Sequence, residues 1–354
     1  MSRRRLGWAL LLVAVAGAGL AGCSTIGYYA QSLGGHLDIM RRARPVDDWL
    51  ADGATPAKLR ERLKLSQEIR DFAVKELKLP DNRSYRSYAD LQRNAVVWNV
   101  VATPELSLEL KRWCFPVVGC VGYRGYFDRK PADALAEDLK AEKFDVNVYG
   151  VPAYSTLGWT NWLGGDPLLN TFIDWPEAQL ARLIFHELAH QVAYAAGDTT
   201  FNESFATAVE RLGGERWRQH RALSDVDDAA FERRRADFRL LSARTRASLE
   251  ALYKSDVSDE LKRQRKAEIF AGMRAELARL KTEAWGGYAG YDAWAQRANN
   301  ASLGVQAAYD ELVPAFEKLF EREGRDFARL HAEAKRLAAL PHDQRRDTLA
   351  AISR

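Results

Sequence analysis

Two histidines and a glutamate lie in the segment His186-Glu187-Leu188-Ala189-His190 with a spacing suited to metal chemistry. On a helix, residues four apart project from the same face, so His186 and His190 can bind one ion. Glu187 follows the first histidine and can reach a water molecule at an open metal position. Zinc lowers the pKa of such a water, and a glutamate accepts its proton as the water attacks a carbonyl carbon. The pattern therefore predicts a catalytic zinc ion that hydrolyses peptide bonds.

A catalytic zinc ion has three protein ligands, and the third is expected from the helix that follows the histidines. The sequence predicts a first helix over residues 177–196, stopped by Gly197, and a second helix that ends at residues 213–214. Two helices joined by so short a connection pack side by side. Glu203, near the start of the second helix, is therefore expected to lie close to His190, near the end of the first.

Other interpretations also fit this region. Glu210 lies on roughly the same face of the second helix as Glu203, two turns later, and competes with it as third ligand. The segment Thr200-Phe201-Asn202-Glu203 fits a capping box, in which the glutamate would bond only to backbone. Asp198 is a candidate for orienting a histidine through a hydrogen bond.

The segment Asn202-Glu203-Ser204-Phe205-Ala206 resembles the Asn-Glu-x-Phe-Ala segment of gluzincins, the zinc peptidases whose third ligand is a glutamate on a second helix. More widely, the chain is similar to a family of bacterial lipoproteins described as zinc-dependent aminopeptidases. The matching segments lie at 120–127, at 149–158, in the zinc motif and at Asn299-Asn300-Ala301. The resemblance implies one zinc ion bound by the two histidines and Glu203, a zincin-like fold and peptide substrates.

Two departures from the well-known gluzincins bear on specificity. The interval from His190 to Glu203 is shorter than in those enzymes, and no Gly-x-Met-Glu-Asn segment, which grips the free amine of their substrates, occurs in the chain. Zinc-dependent hydrolysis is therefore better supported than aminopeptidase specificity, and an envelope endopeptidase is the nearest alternative. Two further alternatives are a binding or scaffold lipoprotein with a structural metal site, and a metal-free protein that holds peptides in its cleft.

The beginning of the chain has the pattern of an export signal. Arg3-Arg4-Arg5 precede an apolar run over residues 6–20, and Ala21-Gly22 place small residues before Cys23. The apolar run is shorter than a membrane-spanning helix requires. An ordinary secretory signal with a nearby cysteine is the alternative interpretation.

The segment Leu20-Ala21-Gly22-Cys23 also resembles the bacterial lipobox, which implies cleavage after residue 22 and acylation of Cys23. Ser24 after the cysteine implies sorting to the outer membrane, facing the periplasm. Several acyl chains on one cysteine hold a soluble domain at a bilayer, so lipid is an expected partner. Anchoring in the inner membrane and a soluble periplasmic protein are the alternatives.

The remaining chain is predicted to be an α+β protein in which α-helix predominates. Residues 23–175 form an N-terminal part with helices and a small β-containing subdomain, and residues 176–354 hold the zinc-site helices and a helical C-terminal half. The net charge of +4 is mild, and the basic clusters are interleaved with acidic residues. This composition argues against a nucleic-acid partner.

Four further residues are candidates for contacting the substrate or stabilising the oxyanion of the reaction. Tyr154 and Ser155 lie in 151–157, which is either a strand that pairs with substrate backbone or an ordinary loop. Asn300 and Tyr309 follow a break rich in glycine and tyrosine, and an amide or phenol there could donate to an oxyanion.

Cys114 and Cys120 are six residues apart in a chain with an export signal. In an oxidising compartment such a pair forms a disulfide that closes a small loop. A metal role is not indicated, because no further cysteine accompanies them. The sequence therefore predicts a bond that braces the β-containing region.

Overall fold

A computed structural model describes residues 27–29, 31–115, 119–153, 164–223 and 225–353. In these residues the protein is α+β and predominantly helical, which confirms the predicted fold class. No helix among them is both long and apolar enough to cross a membrane. The predicted export signal and lipidation site, together with Tyr154 and Ser155, lie outside the described residues.

In the described residues the helices outnumber the strands, and most of them are longer. The first is α1, helical at residues 27–29 and 31–42. The others are α2 (Val46–Ala51), α3 (Ala57–Lys75), α4 (Arg129–Ala141), α5 (Glu177–Ala189), α6 (Thr199–Arg221), α7 (Asp225–Lys254), α8 (Asp259–Glu283), α9 (Asp292–Arg297), α10 (Asn300–Asp310), α11 (Val313–Arg322), α12 (Phe327–Ala338) and α13 (His342–Ser353).

The strands form three small sheets. They are β1 (Arg44–Pro45), β2 (Ser87–Ala89), β3 (Val97–Pro104), β4 (Trp113–Phe115), β5 (Gly119–Val121), β6 (Arg124–Tyr126), β7 (Phe144–Val151) and β8 (Leu168–Leu169). Their orders are β1-β2-β8, β6-β3-β7 and the β4-β5 hairpin. Strand β3 is antiparallel to both of its neighbours, with Val97 opposite Val151 and Pro104 opposite Phe144.

The central sheet β6-β3-β7 is covered on one face and open to a cavity on the other. Because side chains alternate along a strand, Val100 and Ala102 of β3 point one way, and they pack with Leu139 on α4. The alternate residues Val97 and Asn99 line the cavity instead. A face of the sheet thus forms one wall of the space beside the histidines.

The main apolar core surrounds α5 and α6. It contains Leu63 and Phe72 of α3, Phe185 of α5, Phe205 of α6 and Phe316 of α11. This cluster takes side chains from both sides of the predicted boundary at residues 175–176. The last turn of α5, which presents both histidines, is therefore held by helices from both ends of the chain.

Helix α6 continues through residues 213–214, where the sequence predicted its end. Its glycines allow close packing: a Cβ added at Gly213 would lie 2.7 Å from Leu77 Cδ1, and one added at Gly214 would lie 2.7 Å from Arg182 Cγ. The prediction was wrong because these glycines serve helix contacts and not a helix stop. Helix α6 ends at Arg221, and Ala222 follows in the left-handed conformation.

We expect Gly165→Ala to destabilise the protein by about 2–4 kcal/mol. Gly165 has a φ of +73°, and an added Cβ would lie 2.5 Å from Ser84 N. Ser84 Oγ in turn accepts a hydrogen bond from Gln191, the residue after the second histidine, at 3.1 Å. Urea unfolding measures the change in free energy.

The matched control is Gly272→Ala on helix α8, where an added Cβ meets nothing within 4 Å. This change should stabilise the protein by about 0.5–1 kcal/mol, because alanine loses less backbone entropy in a helix. An equal effect of both substitutions would show that close packing at Gly165 is unimportant.

Candidate metal centre

Helix α5 presents both histidines from its last turn. The helix ends at Ala189, but His190 still has helical φ and ψ, so the spacing of four residues keeps both rings on one face. Their ring centroids are 4.9 Å apart. Each side chain is only 10% exposed, so the two imidazoles lie in a largely desolvated site.

Glu203 completes a group of three possible metal ligands. Its Oε2 lies 3.4 Å from His186 Nε2 and 3.6 Å from His190 Nε2. Ligand atoms about 2.1 Å from a tetrahedral ion lie about 3.4 Å from one another, so these separations fit a single ion. Two imidazoles and one carboxylate are also a donor set that suits zinc. His186, His190 and Glu203 could therefore hold a metal ion.

Glu210 lies at the other nitrogen of the first histidine. Its Oε2 is 3.2 Å from His186 Nδ1, whereas Glu203 faces His186 Nε2. The second oxygen of Glu210 accepts a hydrogen bond from Arg235 Nη1 at 2.9 Å. A carboxylate on the nitrogen that does not bind metal fixes the tautomer and orientation of a ligating histidine. This geometry favours Glu203 as third ligand and Glu210 as the group that orients His186.

The side chain of Asn202 holds the turn between α5 and α6. Its Oδ1 accepts from Ala195 N at 2.7 Å, and its Nδ2 donates to Ala195 O at 3.0 Å. Both bonds are buried, and they fix the first turn of α6 against the connection. Glu203, the next residue, is placed beside the histidines as a result.

Asp198 caps α6, and its contacts among the described residues go to residues other than His186 and His190. Its Oδ1 accepts from Phe201 N at 3.0 Å, and its Oδ2 is 2.5 Å from Arg345 Nη1 of α13. Because the helix begins at Thr199, the capping contact goes to Asp198 and Glu203 lies beyond the capping position. The capping-box interpretation therefore does not hold, and Glu203 is free to face the histidines.

The buried carboxylates change the proton affinity of His186. Burial alone would lower its pKa, but the hydrogen bonds with Glu203 and Glu210 outweigh burial and raise the pKa to about 10. At Glu203 the charge of His190 and the hydrogen bonds with His186 and His190 outweigh burial and hold its pKa well below the usual range. At neutral pH a metal ion would therefore displace a proton from His186.

Glu187 lies on α5 beside the first histidine and lines a cavity of about 1090 Å³. Burial raises the pKa of its carboxyl, against the opposing charges of His186 and His190. A raised pKa makes a carboxylate a better proton acceptor near neutral pH. Among the described residues, Glu187 is thus a carboxylate with the place and basicity of a general base.

Tyrosine side chains line the same cavity close to these groups. The ring of Tyr309 stacks on that of His186 with centroids 6.2 Å apart, and Tyr123 and Tyr194 also face the cavity. Burial, and then the charge of Glu203, raise the pKa values of Tyr309 and Tyr123 well above the usual range. Both phenols therefore stay protonated and can donate hydrogen bonds.

Asn300 does not reach the cavity. Its amide nitrogen donates to Glu105 O and Ser107 O at 2.9 and 3.0 Å, and its Oδ1 accepts from Tyr253 at 2.9 Å. The side chain is fully buried and satisfied by these contacts. The contacts of Asn300 are therefore structural, whereas Tyr309 lines the cavity.

The β4-β5 hairpin forms another part of the cavity wall. A disulfide joins Cys114 and Cys120, which face each other across the two strands. Phe115 and Val121 of the same hairpin line the cavity. Arg112 Nη2, just before it, donates to Gly197 O at 2.7 Å. The cross-link thus lies in a wall that contacts the connection between α5 and α6.

Sequence reasoning missed two residues that build this centre. The Asn-Glu-x-Phe-Ala segment includes Asn202, but this pattern does not show the contact of its side chain with Ala195. Arg235 lies on α7, which carries many charges, and no sequence pattern distinguishes this arginine from them. Only the approach of α7 to Glu210 shows its role.

Comparison with known proteins identifies the family of the chain. A family model described as "Putative aminopeptidase" matches residues 27–349, which include every described residue of the centre. No curated protein and no solved structure matches the chain.

We expect Glu210→Gln to weaken zinc binding by about 10–100-fold, because the amide orients His186 less well than a carboxylate does. Glu203→Gln should weaken binding further, since a ligand is lost. Competition with a chromogenic chelator measures both affinities. Glu215→Gln on the same helix is the control, because Glu215 bonds only to Arg218 and Gln219 at the surface. A larger loss from Glu210→Gln than from Glu203→Gln would reverse the two assignments.

Proposed function

Because the chain belongs to the family described as "Putative aminopeptidase", we propose that it is a zinc-dependent peptidase of the bacterial cell envelope. The observation that carries the zinc-dependent part of this proposal is the convergence of His186, His190 and Glu203 beside Glu187. These groups lie at the wall of a cavity large enough for several peptide residues. The family supports a peptidase, and the donor set supports the choice of metal.

The metal would be held by His186, His190 and Glu203. When bound, zinc would polarise the carbonyl of the scissile bond and lower the pKa of a nearby water molecule. The group of ligands has three members in the described residues, whereas a structural zinc site has four. A three-ligand set at a cavity is therefore the better match to catalysis than to a scaffold role.

Glu187 would move the proton in this reaction. Its carboxylate follows the first ligand in sequence and lines the cavity, so it can accept a proton from the attacking water. Its raised pKa lets it keep that proton and then deliver it to the leaving amine. One residue thereby serves first as general base and then as general acid.

Tyr309 is the side chain that we propose for stabilising the oxyanion. Its ring lies against His186, and its phenol remains protonated because burial and the charge of Glu203 raise its pKa. A donor aimed at developing negative charge contributes about 2.7–4 kcal/mol to such reactions. Tyr123 shares these properties and is the second candidate.

The family description favours an aminopeptidase, and an endopeptidase is the alternative. Both reactions use the same ligands and base, and they differ only in whether the substrate must carry a free amine. The chain has no Gly-x-Met-Glu-Asn segment of the kind that binds this amine in other gluzincins.

For its location we propose a lipid anchor at Cys23 in the outer membrane, facing the periplasm. The lipobox-like segment supports the anchor. Helix α1, a few residues later, exposes an apolar row: Tyr29, Leu33 and Leu37 are 40%, 63% and 39% exposed. Residues four apart share a helix face, and such a face lies favourably against a membrane interface.

We expect Glu187→Gln to bind zinc as the unmodified protein does and to lose at least 10²-fold in peptide cleavage, because the proton acceptor is removed. Tyr309→Phe should lower kcat by about 10²–10³-fold and leave KM nearly unchanged. Metal content by mass spectrometry and a panel of free-amine and N-blocked peptides provide the measurements. Zinc bound without cleavage by any form would instead support a structural site.

We expect Cys23→Ser to abolish acylation and to move the protein from the membrane fraction to the soluble periplasmic fraction, because the lipid attachment site is lost. Labelling with a fatty-acid analogue and fractionation of cells measure this change. Ser24→Ala is the neighbouring control and should stay acylated. Unchanged fractionation of Cys23→Ser would exclude the anchor.

A further inference from the structure

We infer that Arg239 binds a carboxylate of the peptide substrate, which is either the C-terminal carboxylate or an acidic side chain. This inference rests on the proposed peptidase function and adds a substrate class to it. The cavity would then select peptides by an anionic group at a fixed distance from the metal centre.

Arg239 lies on α7 one turn after Arg235, and both line the cavity. Four residues advance about 6 Å along a helix, so the two guanidinium groups occupy neighbouring positions on one face. Arg235 is already engaged, because its Nη1 donates to Glu210 at 2.9 Å. Arg239 is thus a second cation in the cavity wall, one helical turn from Arg235.

The charge of Arg239 is poorly compensated by the protein. The nearest carboxylate is that of Asp310, whose Oδ1 is 4.0 Å from Arg239 Nε. The same Oδ1 lies 2.5 Å from Arg211 Nη2, so Asp310 pairs more closely with Arg211, whose Nη1 also lies 3.6 Å from Glu317 Oε1. Arg239 Nη1 is buried and makes no hydrogen bond to any described group.

Burial makes this lack of an anion costly. The Arg239 side chain is only 25% exposed, and a desolvated cation without a close partner is unfavourable. Burial first, and then the charge of Arg211, lower its pKa, so the nearby carboxylates do not offset the cost. A substrate carboxylate would supply the missing charge and accept two parallel hydrogen bonds.

A substrate ammonium group finds no comparable partner among the described side chains of the cavity. Its lining carboxylates are Glu187, Glu203, Glu210 and Asp310. The first serves as base, the second faces the two histidines, and the other two are paired with arginines. The segment 154–163 contains neither Asp nor Glu. Among the described side chains, the cavity thus offers Arg239 to an anion and no carboxylate outside these pairs to an amine.

The distance between Arg239 and the metal ligands sets the position of the carboxylate. Arg235 reaches His186 through Glu210, and Arg239 lies one helical turn further. An extended peptide spans about 3.3–3.6 Å per residue, so a carboxylate bound at Arg239 would lie a set number of residues from the scissile bond. If the carboxylate is C-terminal, that number sets the length of the substrates.

Four matched peptides of the same length separate the two sources of the carboxylate. They carry a C-terminal acid or amide, each with glutamate or glutamine near the C-terminus. For the unmodified holoenzyme we expect kcat/KM to be at least tenfold higher with a carboxylate in the preferred place, because charged hydrogen bonds are among the stronger ones. The preference should vanish in Arg239→Gln and persist in part in Arg239→Lys, which keeps the charge.

Arg244→Gln is the control, because Arg244 lies exposed on the same helix. It should retain the full preference. Equal rates for acids and amides in the unmodified enzyme, or a preference that survives Arg239→Gln in folded protein, would overturn the inference. Preference for glutamate alone would assign the side chain as the source, and preference for the terminal acid alone would assign the C-terminus.

A binding measurement separates this inference from the proposed function. Glu187→Gln protein loaded with zinc should bind the acid peptides at least tenfold more tightly than the amides by calorimetry, and Arg239→Gln in the same background should remove the difference. If no peptide is cleaved by the unmodified protein, the hydrolase proposal fails, and the binding result still decides the role of Arg239. Equal affinities there would exclude it.

Discussion

A buried cluster of opposite charges constrains the arrangement of three helices. Glu203 and Glu210, two turns apart on α6, contact the two nitrogens of His186 on α5, and Arg235 of α7 holds the outer oxygen of Glu210. These carboxylates are only 12% and 13% exposed. Leaving one buried charge without its partner costs several kcal/mol, so this cluster opposes sliding of α5, α6 and α7 past one another.

The turn between α5 and α6 is constrained by the contacts of this charged cluster. Glu203 can face His186 and His190 only if the turn between α5 and α6 has one conformation. Asn202 supplies that conformation by bonding to both polar groups of Ala195. Asp198 caps α6 and extends the network to Arg345 near the C-terminus. A local metal motif is therefore held by residues from distant parts of the chain.

The parts of the centre that depend on local spacing could be predicted from the sequence. His186 and His190 share a face because four residues make about one turn, and a short connection brings Glu203 to them. The assignment of Glu210 needed the orientation of one imidazole, which spacing does not give. Asn300 was misassigned because its burial against Glu105 depends on how α10 meets the sheet. No sequence pattern distinguishes Arg235 from the many charged residues of α7.

Helix α7 carries Arg235, which belongs to the metal centre, and Arg239, which lines another part of the cavity wall. Arg235 and Arg239 are one turn apart on α7, so a rigid shift of that helix would move both guanidinium groups together. Such a shift would change the hydrogen bond from Arg235 to Glu210, and through it the orientation of His186. An anion that draws Arg239 towards the substrate would act on the metal ligands by this route. The metal centre and the proposed anion site thus share one helix, α7.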